Sequence, residues 1–215
     1  MGGRGAKSSG RREIIVGTGG GVQYGRKRYP LKKLGKEVAD GVLKRLQSIA
    51  RDFPDIPTLK ELNTGYLGRD VAGESNSVTG EITLGLSKGA RYGSQELEEV
   101  YDENVKAGFH PKGTTWKNVF DHEVGHKIID AIHVKQGGSL LFGRYNTAER
   151  IVSEAYKRLN TSKSLFETRK DISIYALDNM HETVAEAFAD YRANGKRAKP
   201  LSVAIYSVLK EEMSK

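Results

Sequence analysis

The chain has 215 residues, the length of one domain with room for a tail, and 37% of them are hydrophobic, enough to build a core. It contains no cysteine, which excludes disulfide scaffolds, thiol catalysis and cysteine-ligated metal sites. No apolar run approaches the roughly 20 residues of a membrane helix. The opening MGGRGAKSSGRREIIVG carries only a short apolar patch, so no membrane partner and no secretory signal are expected. The expected location is the cytoplasm of the producing cell.

The formal net charge of +8 sits entirely in residues 1–33, which hold nine basic residues and one acid, together with nine of the 25 glycines. The remaining 182 residues are neutral, with 26 charges of each sign. Residues 1–30 therefore read as a basic, glycine-rich, flexible arm and residues 31–215 as the folded body. The residues after the glycines exclude a phosphate-binding loop. Gly25 leads to Arg26 and Lys27 and then Arg28 and Tyr29, without the Lys-Ser/Thr pair such a loop needs. The arm is left as a solvated tail, a docking segment for a protein, or a contact to nucleic-acid phosphates. The last would use Arg4, Arg11, Arg12, Arg26, Lys27 and Arg28.

Along the body, apolar residues recur at Leu34, Val38, Val42, Leu46 and Ile49, which predicts a helix ending near Phe53-Pro54. Short strand-like patterns come next at Leu59–Tyr66 and Glu81–Leu86, separated by the polar, turn-rich RDVAGESNSVTG. Glu81, Ile82, Thr83 and Leu84 are the candidate sheet edge, able to pair with an extended peptide. Ser94 caps a predicted acidic helix closed by Gly108. The next helix runs about Trp116–Gln136 and stops at Gly137-Gly138. Asn146 and Glu149 are spaced as a capping box for the segment after it. Two more helices are expected, at about Met180–Ala193 and after Pro200. A few strands followed mainly by helices make the chain α+β.

The informative motif is HEVGH, residues 122–126. On a helix, residues four apart project from one face, so His122 and His126 can offer two imidazoles to one ion. Glu123 then stands beside that ion, where it can take a proton from water. A third ligand is needed. His133 lies on the same face but about 10.5 Å further along the axis, too far for the same ion, and reads as a satisfied or surface histidine. HETVAEAFADY supplies Glu182, Glu186 and Asp190, four apart on one face. Three such acids repel unless a cation faces them. Glu182 is also placed to cap its helix together with Asn179.

HEVGH followed by YALDNMHETVAEAFADY resembles the gluzincin metallopeptidases, in the branch of anthrax lethal factor, the clostridial proline-specific endopeptidases and related phage- or prophage-encoded domains. GFHPKGTTWKNVFDHEVGH is similar to that branch's approach to its metal helix, and the resemblance covers roughly residues 81–191. It implies a zincin-like body with a small, partly antiparallel sheet packed on the HExxH helix and a C-terminal helical subdomain. It implies Zn²⁺ held by His122, His126 and Glu182, with Tyr175, seven residues before Glu182, reaching the reaction centre. A thermolysin-type assignment, with Glu186 as ligand and Asp190 behind it, stays open beside this one. The implied activity is zinc-dependent hydrolysis of a protein or peptide, with Glu123 as general base. The alternative is a phage structural or nucleic-acid-associated protein on the same fold. It would be virion-associated and act through its basic arm on a capsid or nucleic acid.

Overall fold

The computed structural model describes residues 16–17, 21–24, 27–29 and 31–215. Among them the architecture is α+β: two small sheets and seven α-helices. The first sheet is an antiparallel ribbon of β1 (Val16–Gly17), β2 (Gly21–Tyr24) and β3 (Lys27–Tyr29). Tyr24 and Tyr29 belong to the core, and their hydroxyls donate to the carbonyls of Phe53 and Leu59. This corrects the boundary at residue 30. Two buried aromatics tie the end of the basic segment to the body, and the folded part begins before residue 31. Arg4, Arg11, Arg12 and Arg26 lie outside the described residues. Lys27 contributes its backbone to β3, and Arg28 is exposed.

Helix α1 (Lys36–Ile49) buries Val42, Leu46 and Ile49, the spacing read from the sequence. The second sheet contains β4 (Glu61–Gly65), β5 (Gly73–Asn76) and β6 (Glu81–Gly85) in the order β4-β6-β5. Strand β6 pairs in parallel with β4 and antiparallel with β5. Glu81, Ile82, Thr83 and Leu84 therefore lie in the central strand, and their backbone is already paired on both sides. The edges of this sheet are instead β4 and β5, and β5, the one packed beside α3, falls inside the segment read as a loop. The physical reason is burial. Ile82 and Leu84 are apolar because the central strand packs on the core, whereas Gly-Glu-Ser-Asn at the border has no apolar side chain to reveal it.

The remaining helices are α2 (Gln95–Lys106), α3 (Asn118–Lys135), α4 (Arg144–Lys157), α5 (Leu165–Ile172), α6 (Met180–Asn194) and α7 (Pro200–Ser214). Ser94 caps α2 as expected, accepting from the Leu97 amide. Helix α4 starts at Arg144, before the proposed cap, so Asn146 lies within the helix and the Asn146–Glu149 box does not form. The capping box that does form is Ser164 with Glu167, at α5, a helix the apolar pattern did not reveal.

Helix α3 is the spine. All but a few of its residues are buried, because β5 and β6 lie on one side and α4, α6 and α7 on others. Its fully buried Asp121 is held by Arg45 of α1, by Asn118 and by Arg192 of α6 at 3.6 Å. Helices α3 and α6 approach closely at Gly125. A β-carbon there would lie 3.0 Å from the Ala185 Cα and 3.3 Å from the Phe188 Cβ. The glycine of HEVGH is thus a packing requirement. Gly125→Val is expected to lower stability by about 1–3 kcal/mol through overpacking, measured by urea unfolding. An unchanged midpoint would show that the two helices do not need this contact.

Candidate metal centre

The α3–α6 contact brings three side chains together. His122 and His126 project from one face of α3, with their Nε2 atoms 3.2 Å apart. From α6, Glu182 places Oε2 3.1 Å from His122 Nε2 and Oε1 3.6 Å from His126 Nε2. Tetrahedral zinc with bonds of about 2.0–2.2 Å has donors roughly 3.3–3.6 Å apart, so one of these separations matches its edges and two fall 0.1–0.2 Å short of them. His122, His126 and Glu182 make up the one cluster of side chains that could hold a metal ion among the described residues.

The sequence left Glu182 two roles, and the structure divides them. Asn179 caps α6 by accepting from the Glu182 amide, but the Glu182 carboxylate turns away to the histidines. Glu186, one turn on and buried, accepts from His122 Nδ1 at 2.9 Å and from the Ser173 hydroxyl at 2.9 Å. His110 Nδ1 stands 3.4 Å from both of its oxygens. The contact at Nδ1 leaves His122 Nε2 directed at the cluster, the arrangement by which an outer carboxylate orients a ligand imidazole. Asp190 does not join the site. It accepts from Asn194 Nδ2 at 2.7 Å and from the Lys199 amide at 2.9 Å, bracing the turn into α7. His133 is likewise satisfied elsewhere, by Thr147 Oγ1 at 2.8 Å and the Phe142 carbonyl at 2.9 Å.

Glu123 is buried beside the cluster, facing β5. Gly73 makes room for it: a β-carbon at Gly73 would fall 2.9 Å from Glu123 Oε1 and 2.8 Å from Val119 Cγ1. Tyr175 stacks on His122 with ring centres 5.7 Å apart, and Phe109 stacks on Tyr175 at 5.2 Å. Two hollows meet at Gly73, His122, Glu123 and Tyr175. One is polar, about 280 Å³, lined by Glu74, Ser75, Arg144, Tyr145 and His181 among others. The other is larger, about 520 Å³, with Leu97, Val100, Tyr101 and Phe109 in its wall. Sequence reasoning did not reach β5, Arg144, His181 or Lys127. The buried Lys127 Nζ donates to the Asn76 carbonyl at 2.6 Å, fastening β5 to α3. Only its place directly after HEVGH marked it.

The electrostatics are those of acids and imidazoles sharing protons. Burial pushes Glu123 up, opposed by the neighbouring His122 and His126. For Glu182, burial alone would raise the carboxyl, but hydrogen bonds from His122 and His126 override it and hold the group well below the carboxylate range. Glu186 is likewise pushed up by burial, then drawn down to about 2 by His110 and His122. Burial opposes a charged His122, yet Glu182 and Glu186 raise it well above its ordinary value. The Tyr175 phenol is pushed up by burial and then by Glu182, so it keeps its proton at neutral pH.

Comparison with known protein families, with curated proteins and with solved structures found no match.

A proton and a metal ion would compete for His122 Nε2 if the cluster takes up a metal. Zinc binding by the metal-free protein is therefore expected to release protons and to weaken as pH falls. Calorimetry in buffers of different ionisation heat checks this, and binding without proton release at pH 7 contradicts it. The same groups set an acid limit on metal-free stability. The Glu186 contribution is present above its ordinary value of 4.5 and is lost as pH falls toward about 2, and the Glu182 contribution, present over the same upper range, is lost at still lower pH. The His122 contribution is full below 6.5 and is lost as pH rises through its raised value.

Proposed function

We propose that the protein is a zinc-dependent endopeptidase. What carries this reading is the convergence of His122, His126 and Glu182 in a cleft with Glu123 beside them and an open sheet edge, β5, along the wall. On this reading the sheet, α3 and α6 take a zincin-type arrangement, in which His122, His126 and Glu182 hold Zn²⁺. When bound, the ion supplies Lewis acidity toward water and toward the scissile carbonyl oxygen.

The chain's own residues supply the rest. Glu123 accepts a proton from the attacking water as the new C–O bond forms. It returns that proton to the nitrogen as the C–N bond breaks, so acid and amine products balance. Its raised affinity for a proton suits both transfers. Tyr175 keeps its hydroxyl proton and can donate it as a hydrogen bond to the carbonyl oxygen as charge develops there. Glu186 fixes the His122 tautomer, and Ser173 and His110 fix Glu186. An extended substrate would pair with the free edge of β5, which reads peptide backbone.

Metal analysis should find about one zinc per chain. Glu123→Gln is expected to retain zinc and to lose cleavage of a peptide library by at least about 10²-fold. Glu182→Ala should abolish stoichiometric zinc, whereas Glu186→Ala should weaken it by about 10–100-fold. The reverse order would move the third ligand to Glu186. For Tyr175→Phe, the expectation is about 10²–10³ lost from kcat with zinc retained. Unchanged kcat would remove Tyr175 from the reaction centre.

A further inference from the structure

The two hollows flanking Glu123 differ in chemistry, and the polar one carries a charge that the hydrolytic machinery does not use. Arg144, the first residue of α4, lines that hollow with its side chain about a quarter exposed. Among the described residues its one ion pair is a 3.5 Å contact to Oδ1 of the fully buried Asp130. The buried Lys127 also lies against this acid, with Nζ 3.9 Å from Asp130 Oδ2. Two cations thus face one carboxylate, and the surplus positive charge sits on the side that opens to the cleft.

A second observation comes from the same wall. His181 is nine-tenths buried and lines the hollow, and its Nε2 has no hydrogen-bond partner among the described residues. Its ring is boxed in by His126 at 5.9 Å and Tyr145 at 5.0 Å. Buried polar atoms in folded proteins are nearly always satisfied, so this wall lacks a partner that a bound chain can supply. Three acids line the same hollow: Glu74 on β5, which is exposed and stands on the strand rather than on the α4 wall, and Glu123 and Glu182, which stand with the histidines on the α3–α6 side.

We propose that Arg144 and His181 form a subsite for an acidic side chain, Asp or Glu, of a bound peptide. This subsite lies on the side of the scissile bond away from the apolar hollow. The inference rests on the endopeptidase reading and names its substrate class. The substrate carboxylate pairs with the Arg144 guanidinium, and a polar group of the peptide meets His181 Nε2. Arg144 is a specificity-determining residue here. It takes no part in the proton transfers of Glu123.

The test is cleavage of a randomised peptide library by the zinc-loaded full chain, with cut sites read by mass spectrometry. The wild type should enrich Asp and Glu at one position on one side of the bond, by at least about tenfold over Gln and Lys, as a charge-assisted hydrogen bond allows. Arg144→Glu should reverse this to Lys and Arg while leaving the preference on the apolar side unchanged. Arg144→Lys, which keeps the charge against Asp130, should retain the acidic preference and guards against a folding defect. Cleavage with no acidic preference, with a basic preference in the wild type, or with a preference that survives Arg144→Glu overturns the subsite alone. No cleavage by the zinc-loaded wild type overturns the endopeptidase reading and the subsite with it.

Discussion

The close crossing of α3 and α6 is the constraint on which the rest of the molecule depends. Gly125 lets the Ala185 backbone approach α3. Only at that distance can a carboxylate from α6 reach two imidazoles one turn apart on α3. The contact is braced by charge as well as shape: Arg192 of α6 and Arg45 of α1 both close on Asp121, the residue before His122. Breaking such a buried pair by removing one partner leaves an uncompensated charge, which makes the helix positions hard to relax. The three side chains thus sit where close packing and buried charge leave the two helices little room to shift.

The polar groups around the crossing form a graded series. Glu182 meets the imidazoles directly, Glu186 holds one of them from behind, and Ser173 and His110 hold Glu186. Asp190, a further turn along α6, has left the series and serves the chain's turn into α7. Three acids at the same spacing on one helix face therefore have three different fates. What separates them is the distance of each turn from the α3 histidines.

Helices were legible in the sequence where an apolar stripe ran along them, as in α1, where a cap opened them, as in α2, and where glycines closed the element, as in α3. Residues 122, 123 and 126 were legible because i, i+4 geometry leaves few other readings of HEVGH. Glu182 shared its spacing with Glu186 and Asp190 and was singled out by the resemblance around ETVAEAF and Tyr175, while the packing of α6 on α3 is what brings its carboxylate to the histidines. Strand order was not legible. Apolar alternation marks a strand that is buried, so Glu81–Gly85 stood out by being central, and the polar border strand beside it did not. The tyrosines at 24 and 29 were hidden by the company they keep, since glycine and arginine dominate that segment. Arg144 and His181 come from elements distant in sequence, and nothing local joins them.

The border strand β5 has a consequence for solubility. An unpaired backbone edge invites another chain of the same kind to extend the sheet, the usual start of ordered aggregation. Here that edge is four residues long, carries Gly-Glu-Ser-Asn with no apolar side chain, and is drawn toward α3 by a buried lysine. A short, hydrophilic, anchored edge offers little for a growing stack of copies.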